Sequence, residues 1–334
     1  MVRCLLAAVL FGASAPAVSK LAGDVNAFAL AGLLYLGAGF AVLPATIQRP
    51  PARRPRRGVG ARLALAVVFG GGIAPVLLAA GLARTPAATA SLLLNLELVA
   101  TVILAAVIFH EHIGRRVAAG TTLVVTGGVV LTWSAAPELR LGAIFVAGAC
   151  LCWAVDNCIT ASLDEFASHH ITMAKGIVAG SANLVVGLIV ATAPSASQAV
   201  AAVGIGVLGY GLSITLWVTG ARDLGAARGQ LIFAIAPFVG AVVAWVVLGE
   251  PVTTAQLVAL GLAVIGVSAV LNSSHLHEHH HAAVEHDHEH EHDDSHHNHD
   301  HPAGDDRHAH PHLHRELVHA HPHVPDLHHR HGHP

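Results

Sequence analysis

The chain has 334 residues, 54% of them hydrophobic and only 12% charged. That balance excludes an ordinary soluble domain, whose surface needs far more charge. The formal net charge of −3 averages two unlike parts. Residues 275–334 hold 24 of the 28 histidines and 12 of the 21 acidic residues. Residues 1 to about 272 are rich in Ala, Val, Leu, Ile and Gly, with basic character almost all Arg.

Taken in chain order, the apolar stretches predict ten membrane-spanning helices, near 4–21, 25–47, 61–83, 86–109, 116–134, 141–162, 171–193, 197–219, 226–248 and 253–271. Each is long enough to cross about 30 Å of hydrocarbon as a helix. Closely spaced Gly and Ala suit helix packing in lipid, where small residues let backbones approach. The first stretch, MVRCLLAAVLFGASAPA, also has the basic start and small-residue end of a cleaved signal peptide. Its apolar run continues past that end, so it is read as the first span. Cys4, Cys150, Cys152 and Cys158 all fall in apolar helices, where free Cys is a small hydrophobe.

Orientation follows from the basic loops. Arg49, Arg53, Arg54, Arg56, Arg57 and Arg62 follow the second span, Arg115 and Arg116 the fourth, Arg222 and Arg228 the eighth. The other side carries only Lys20, Arg84 and Arg140. Both termini are therefore expected in the cytoplasm, with the chain in the plasma membrane.

Residues 81–131 and 220–271 align without a gap. Glu111 falls on Glu250, Ala105 on Ala244, Gly127 on Gly266 and Gly81 on Gly220. Five spans separate the copies, an odd number, so one copy is inverted in the membrane. Inverted repeats are a signature of alternating-access transporters, with the site near the midplane. The expected organisation is a first repeat over 1–134, a second over 141–272, and a tail over 275–334.

The segments NLELVATVILAAVIFHEHIGRRVAAGTTLVVTGGVVL and APFVGAVVAWVVLGEPVTTAQLVALGLAVIGVSAVL carry the likeness. So do FGASAPAVSKL near the start and LCWAVDNCITASL in the sixth span, with Trp153 near the place of Phe11. These residues resemble the EamA-type branch of the drug/metabolite transporter superfamily. The resemblance covers residues 1–272 and implies an all-α integral membrane fold. It further implies ten helices in two inverted five-helix repeats, and secondary transport of small organic solutes. Phe11 departs from the pattern, where members often have Trp, and the tail lies outside it.

An ionisable side chain inside the membrane is costly and points to function. Glu97, in LLLNLELVATV, shares a helix face with Ala90, Leu94, Thr101 and Ala105. A carboxyl drawn out of water favours its neutral form, so Glu97 is a candidate for proton coupling or for a cationic solute. The aligned position is Ala236, and a helix broken beside Pro237 would offer free backbone groups. Asp156 and Asn157 lie in the sixth span, with Cys152 four residues before Asp156. A thiol and a carboxylate there could take a borderline-soft cation. Asn95 and Asn183 are further pathway candidates, and interhelical hydrogen bonding is their alternative role. Lys175 is expected to snorkel to the cytoplasmic face. Glu111 and Glu250, at helix ends in opposite halves, suggest gating or structural roles.

The tail alternates imidazole and carboxylate, donors that suit Zn, Ni and Co. Its metal-ligand candidates are His275, His277, His279, His280, His281, His286, His288, His290, His292, His296, His297, His299 and His301. Composition and repeated Pro argue disorder over 275–334. The bound metal would be cargo or regulator. An alternative is a metal-sensing or metal-buffering protein whose helices mainly anchor it. No HExxH or GxSxG motif sits in the spans, so an enzyme is not expected, and no cofactor is required. The partners are lipid bilayer and a small solute or metal-ion cargo. Nucleic acid is not expected, and a homodimer is an open assembly.

Overall fold

A computed structural model describes residues 1–48, 59–109, 114–133, 136–160, 163, 166–224, 229 and 232–271, together with the backbone of 275–281, 284–291, 307–314 and 317–323. Nine helices among the described residues are long and apolar enough to cross a membrane. They are α1 (Val2–Ala22), α2 (Ala27–Gln48), α3 (Val59–Leu82), α5 (Arg115–Trp133), α6 (Pro137–Thr160), α7 (Ser168–Val190), α8 (Ala196–Gly220), α10 (Thr254–Leu271) and the broken α4. Helix α4 is built from two segments, Ala87–Leu93 and Leu96–Phe109. A shorter apolar helix, α9, runs over Ala236–Val246. Of the ninth expected span, 226–248, residues 226–228, 230 and 231 lie outside the described residues. The chain turns at Ala234–Ile235 and restarts, with Pro237 in the first turn where its missing N–H costs nothing.

Three spans carry a π-helical turn: Val67–Ile73 in α3, Lys175–Ala179 in α7 and Gly206–Leu212 in α8. Such turns release backbone carbonyls from the regular ladder. Large apolar side chains such as Ile144, Val185, Ile189 and Val246 point outward, the arrangement expected where the solvent is lipid. Small residues and backbone fill the centre, where Leu30, Leu34, Leu78 and Val146 are fully enclosed.

Helix α5 lies against α10, α3 against α6, and α1 against α8 and α9. Close approaches between α5 and α10 come in exchanged pairs. A Cβ on Gly120 would stand 2.5 Å from the Gly266 carbonyl, and one on Gly266 would stand 2.6 Å from the Gly120 carbonyl. Along the same helices, Gly127 faces Ala259, the position aligned with Gly120. Gly81 abuts Val146 of α6, and its aligned partner Gly220 abuts Cys4 of α1. Only a residue without a Cβ permits these backbone crossings.

The described backbone of the tail forms its own compact unit. Strands β1 (His275–His281) and β4 (Leu317–His323) pair antiparallel, as do β2 (Val284–Glu291) and β3 (Arg307–His314). The reason is visible in the sequence: His recurs at alternate positions, the period of a strand. The register sets His286, His288 and His290 opposite His312, His310 and His308. It also sets His275, His277 and His279 opposite His323, His321 and His319. His292, His296, His297, His299 and His301 lie outside the described residues.

Replacing Gly120 or Gly266 by Leu should force α5 and α10 apart. We expect a lowered thermal midpoint in detergent, read by scanning fluorimetry, and a much smaller effect for Gly261→Leu, which faces open space.

Candidate functional site

The break in α4 places the first polar group. Leu94 and Asn95 form a turn in which the Leu92 carbonyl accepts from the Asn95 N–H at 3.3 Å and the Leu94 carbonyl from the Glu97 N–H at 3.1 Å. The Asn95 side chain, buried, donates to the Leu92 carbonyl at 2.9 Å. The Cys150 thiol of α6 lies 3.7 Å from the Leu93 carbonyl and 3.9 Å from that of Leu94. Asn95 and Cys150 therefore support the break.

The glycine run of α3 does the same for its neighbours. The Gly70 carbonyl accepts from the Tyr35 hydroxyl at 2.5 Å and from the Trp153 indole at 3.1 Å. Asn183 of α7 donates to the Gly72 carbonyl at 3.0 Å and the Gly71 carbonyl at 3.3 Å. A Cβ at Gly70 would collide with the Asp156 carboxylate, so this glycine makes room for the charge.

Asp156 is not left open. Lys175 of α7 donates to its Oδ2 at 2.6 Å, and Thr160 donates to its Oδ1 at 3.0 Å. The two charged side chains are 7% and 15% exposed, so the pair is nearly enclosed. Lys175, expected to snorkel outward, instead turns inward to this carboxylate. The reason is charge: an ion at membrane depth is far cheaper beside its counterion than alone. The pairing of Asp156 with Cys152 as a metal site is not formed. Among the described residues no group of three His, Cys, Asp or Glu side chains converges.

Glu97 is different. It follows the α4 break, and its Oε1 accepts from the Asn157 amide at 2.9 Å. No salt bridge to it is found among the described residues. Asn157 is exposed and Glu97 half-buried, so this contact opens outward. A row of rings begins one turn from Asn157. Trp153 Nε1 is 3.3 Å from the Tyr35 hydroxyl. Tyr35 and Tyr210 follow at 5.9 Å, Tyr210 and Phe11 at 5.9 Å, Phe11 and Phe233 at 5.3 Å, and Phe233 and Trp217 at 5.9 Å. Two outer grooves, one lined by Leu96, Val125 and Trp133 and one by Phe28, Val76 and Ala182, are apolar and do not include Glu97. The chemistry lies at the polar cluster, and those grooves have the character of lipid-facing seams.

Glu250 has a definite place. Its carboxylate accepts from the backbone N–H of Ala87 at 2.7 Å and of Ala88 at 2.8 Å, at the start of α4. A carboxylate at a helix N-terminus meets both free donors and the positive end of the dipole. Beside it, Gln256 donates to Thr89 at 3.0 Å and accepts from Trp245 at 3.2 Å. Gly249, with φ +69°, turns the chain into this position. Glu111, its aligned counterpart, lies outside the described residues. Sequence reading missed Tyr35, Lys175 as an inward group, and the Gly70–Gly72 carbonyls. The run of three glycines inside an apolar span was the signal available.

A multi-pass helical membrane protein with a carboxylate that has no basic partner among the described residues is the class this arrangement defines, and comparison with known proteins places it in a family. The EamA-like transporter family model matches residues 1–133 and 140–272, and the chain belongs to that family. A curated relative from Methanothermobacter thermautotrophicus, described as an uncharacterized transporter, is 28% identical over 193 residues. That match spans 55% of this chain and 56% of the relative's length. A solved structure described only as a crystal structure of protein has a TM-score of 0.59 at 20% identity, covering 81% of this chain and 95% of that one. It supports the fold alone.

Lys175→Met should strand Asp156 and destabilise the protein by about 3–5 kcal/mol. Adding Asp156→Asn should recover much of that loss, and a double-mutant cycle of thermal midpoints checks it. Glu250→Ala removes both contacts to the start of α4. It should cost about 2 kcal/mol and raise amide exchange at Ala87 and Ala88, read by hydrogen-exchange mass spectrometry.

Proposed function

We propose that the protein is a secondary transporter that exports a small solute by alternating access, driven by proton exchange at Glu97. The observation that carries this reading is the sorting of the buried polar groups. Asn95, Asn183 and Asp156 are each committed to backbone carbonyls or to Lys175. Among the described residues Glu97 has an amide as its hydrogen-bond partner and is half-buried. A carboxyl held this way can bind and release a proton or exchange it for solute. Asp156, Lys175 and Tyr35 are the neighbouring groups that set its charge environment.

Two inverted five-helix repeats, residues 1–134 and 141–272, supply the moving halves. The exchanged contacts, Gly120 with Gly266 against Gly127 with Ala259, support that organisation. Glu250 is the latch at one mouth, and Glu111 is its counterpart at the other. The Arg-rich loops support cytoplasmic termini for a chain in the plasma membrane. The histidines of the tail bind divalent transition metals as cargo or regulator. The cross-strand register of His286, His288 and His290 with His312, His310 and His308 supports ligands drawn from both strands.

The test uses purified full-length protein in liposomes with an imposed pH gradient. Glu97→Gln should abolish gradient-driven solute flux while nickel or zinc binding by the tail persists. Removal of residues 275–334 should do the reverse. Unchanged flux in Glu97→Gln would overturn the coupling role.

A further inference from the structure

The hydroxyl of Thr101 stands out from the other span threonines. Thr121, Thr122, Thr126, Thr132, Thr215 and Thr219 each donate to a carbonyl four residues earlier on their own helix. That bond is the ordinary way a threonine hydroxyl is satisfied in lipid. Thr101 makes none: its Oγ1 is buried without a partner. It sits one turn after Glu97 on the same face of α4. A buried unsatisfied hydroxyl is costly and calls for a ligand or another explanation. At the far end of the aromatic row, the indole N–H of Trp217 is likewise buried without an acceptor.

Resting on the transporter reading above, we propose that Glu97 and Thr101 bind the protonated amine of an organic cation, with the row of aromatic rings as its apolar wall. The carboxylate supplies the counter-charge, and among the described residues no basic side chain pairs with it. The Thr101 oxygen accepts a second ammonium hydrogen. Ring faces attract a cation by their quadrupole while solvating its hydrocarbon body. Thiolate and imidazole, the donors a transition metal prefers, do not converge here among the described residues. An anion would meet the carboxylate directly. An alkali ion would gain nothing from the length of the row. Thr101 is thus a substrate-contacting residue that selects for a hydrogen-bonding ammonium.

The experiment measures binding to full-length protein in nanodiscs by calorimetry and tryptophan fluorescence. The probes are phenethylammonium, phenethyl alcohol, phenylacetate, sodium and nickel, the last with the tail removed. Phenethylammonium is expected to bind, and the alcohol, phenylacetate, sodium and nickel much more weakly. Thr101→Val should weaken phenethylammonium about ten-fold, and Thr101→Ser, which keeps the hydroxyl, should restore it. Glu97→Gln should abolish it. Equal binding of the alcohol, phenylacetate, sodium or nickel, or parental affinity in Thr101→Val, would overturn the assignment. The two readings separate in liposomes. Ammonium binding without any Glu97-dependent flux sinks the transporter and leaves the site standing. Glu97-dependent flux of an anion or metal, with no ammonium binding, leaves the transporter and sinks the site.

Discussion

A bilayer interior offers no water, so every polar group at that depth must find its partner within the protein. The arrangement of this molecule depends on that constraint. Where helix α4 breaks at Leu94–Asn95, turn hydrogen bonds, the Asn95 amide and the Cys150 thiol meet the carbonyls of Leu92, Leu93 and Leu94. The π-helical turn of α3 persists because Tyr35, Trp153 and Asn183 reach the carbonyls of Gly70, Gly71 and Gly72. Asp156 is tolerated because Lys175 lies against it. Irregular backbone and buried charge come as matched sets, each drawing side chains from two or three spans.

Matching of this kind also defines the site by subtraction. The Ser91 hydroxyl and the Trp217 indole are buried without a partner elsewhere, while beside the committed groups stand a half-buried carboxylate, an exposed amide and an unsatisfied hydroxyl on facing helices. The rings of Trp153, Tyr35, Tyr210 and Phe11 run away from them. Their proximity follows from small residues elsewhere. Gly81 lets α3 approach α6, and Gly70 leaves space for the Asp156 carboxylate. Bulk at either point would push apart the helices that carry the polar cluster. The mouth built from Glu250, Gln256 and Thr89 shows the same economy, closing one helix end with a carboxylate from a distant part of the chain.

Several features were legible in the sequence because they are local. Long apolar runs require helices in lipid, and nine of the ten expected spans are present at full length among the described residues. The repeat in register, Gly81 with Gly220 and Gly127 with Gly266, was visible as spacing. Glu97 was conspicuous as a carboxylate at mid-span. The alternation of the tail histidines was equally visible, with the period of two that a strand has.

The sequence by itself determined a helical membrane protein, the length of its spans, and which residue types at membrane depth demanded a partner. It could do so because hydrocarbon thickness and the cost of burying polarity act on each segment separately. Only the tertiary structure decided which partner each polar group took. Lys175 turns inward because Asp156, 19 positions away, comes within 2.6 Å across a helix interface. Asn183 is consumed by glycine carbonyls 111 and 112 positions earlier, so it is no longer free for a solute. Glu97 is set apart because the cation that might have neutralised it is held by another carboxylate. That choice rests on helix packing and backbone breaks, which no single segment encodes.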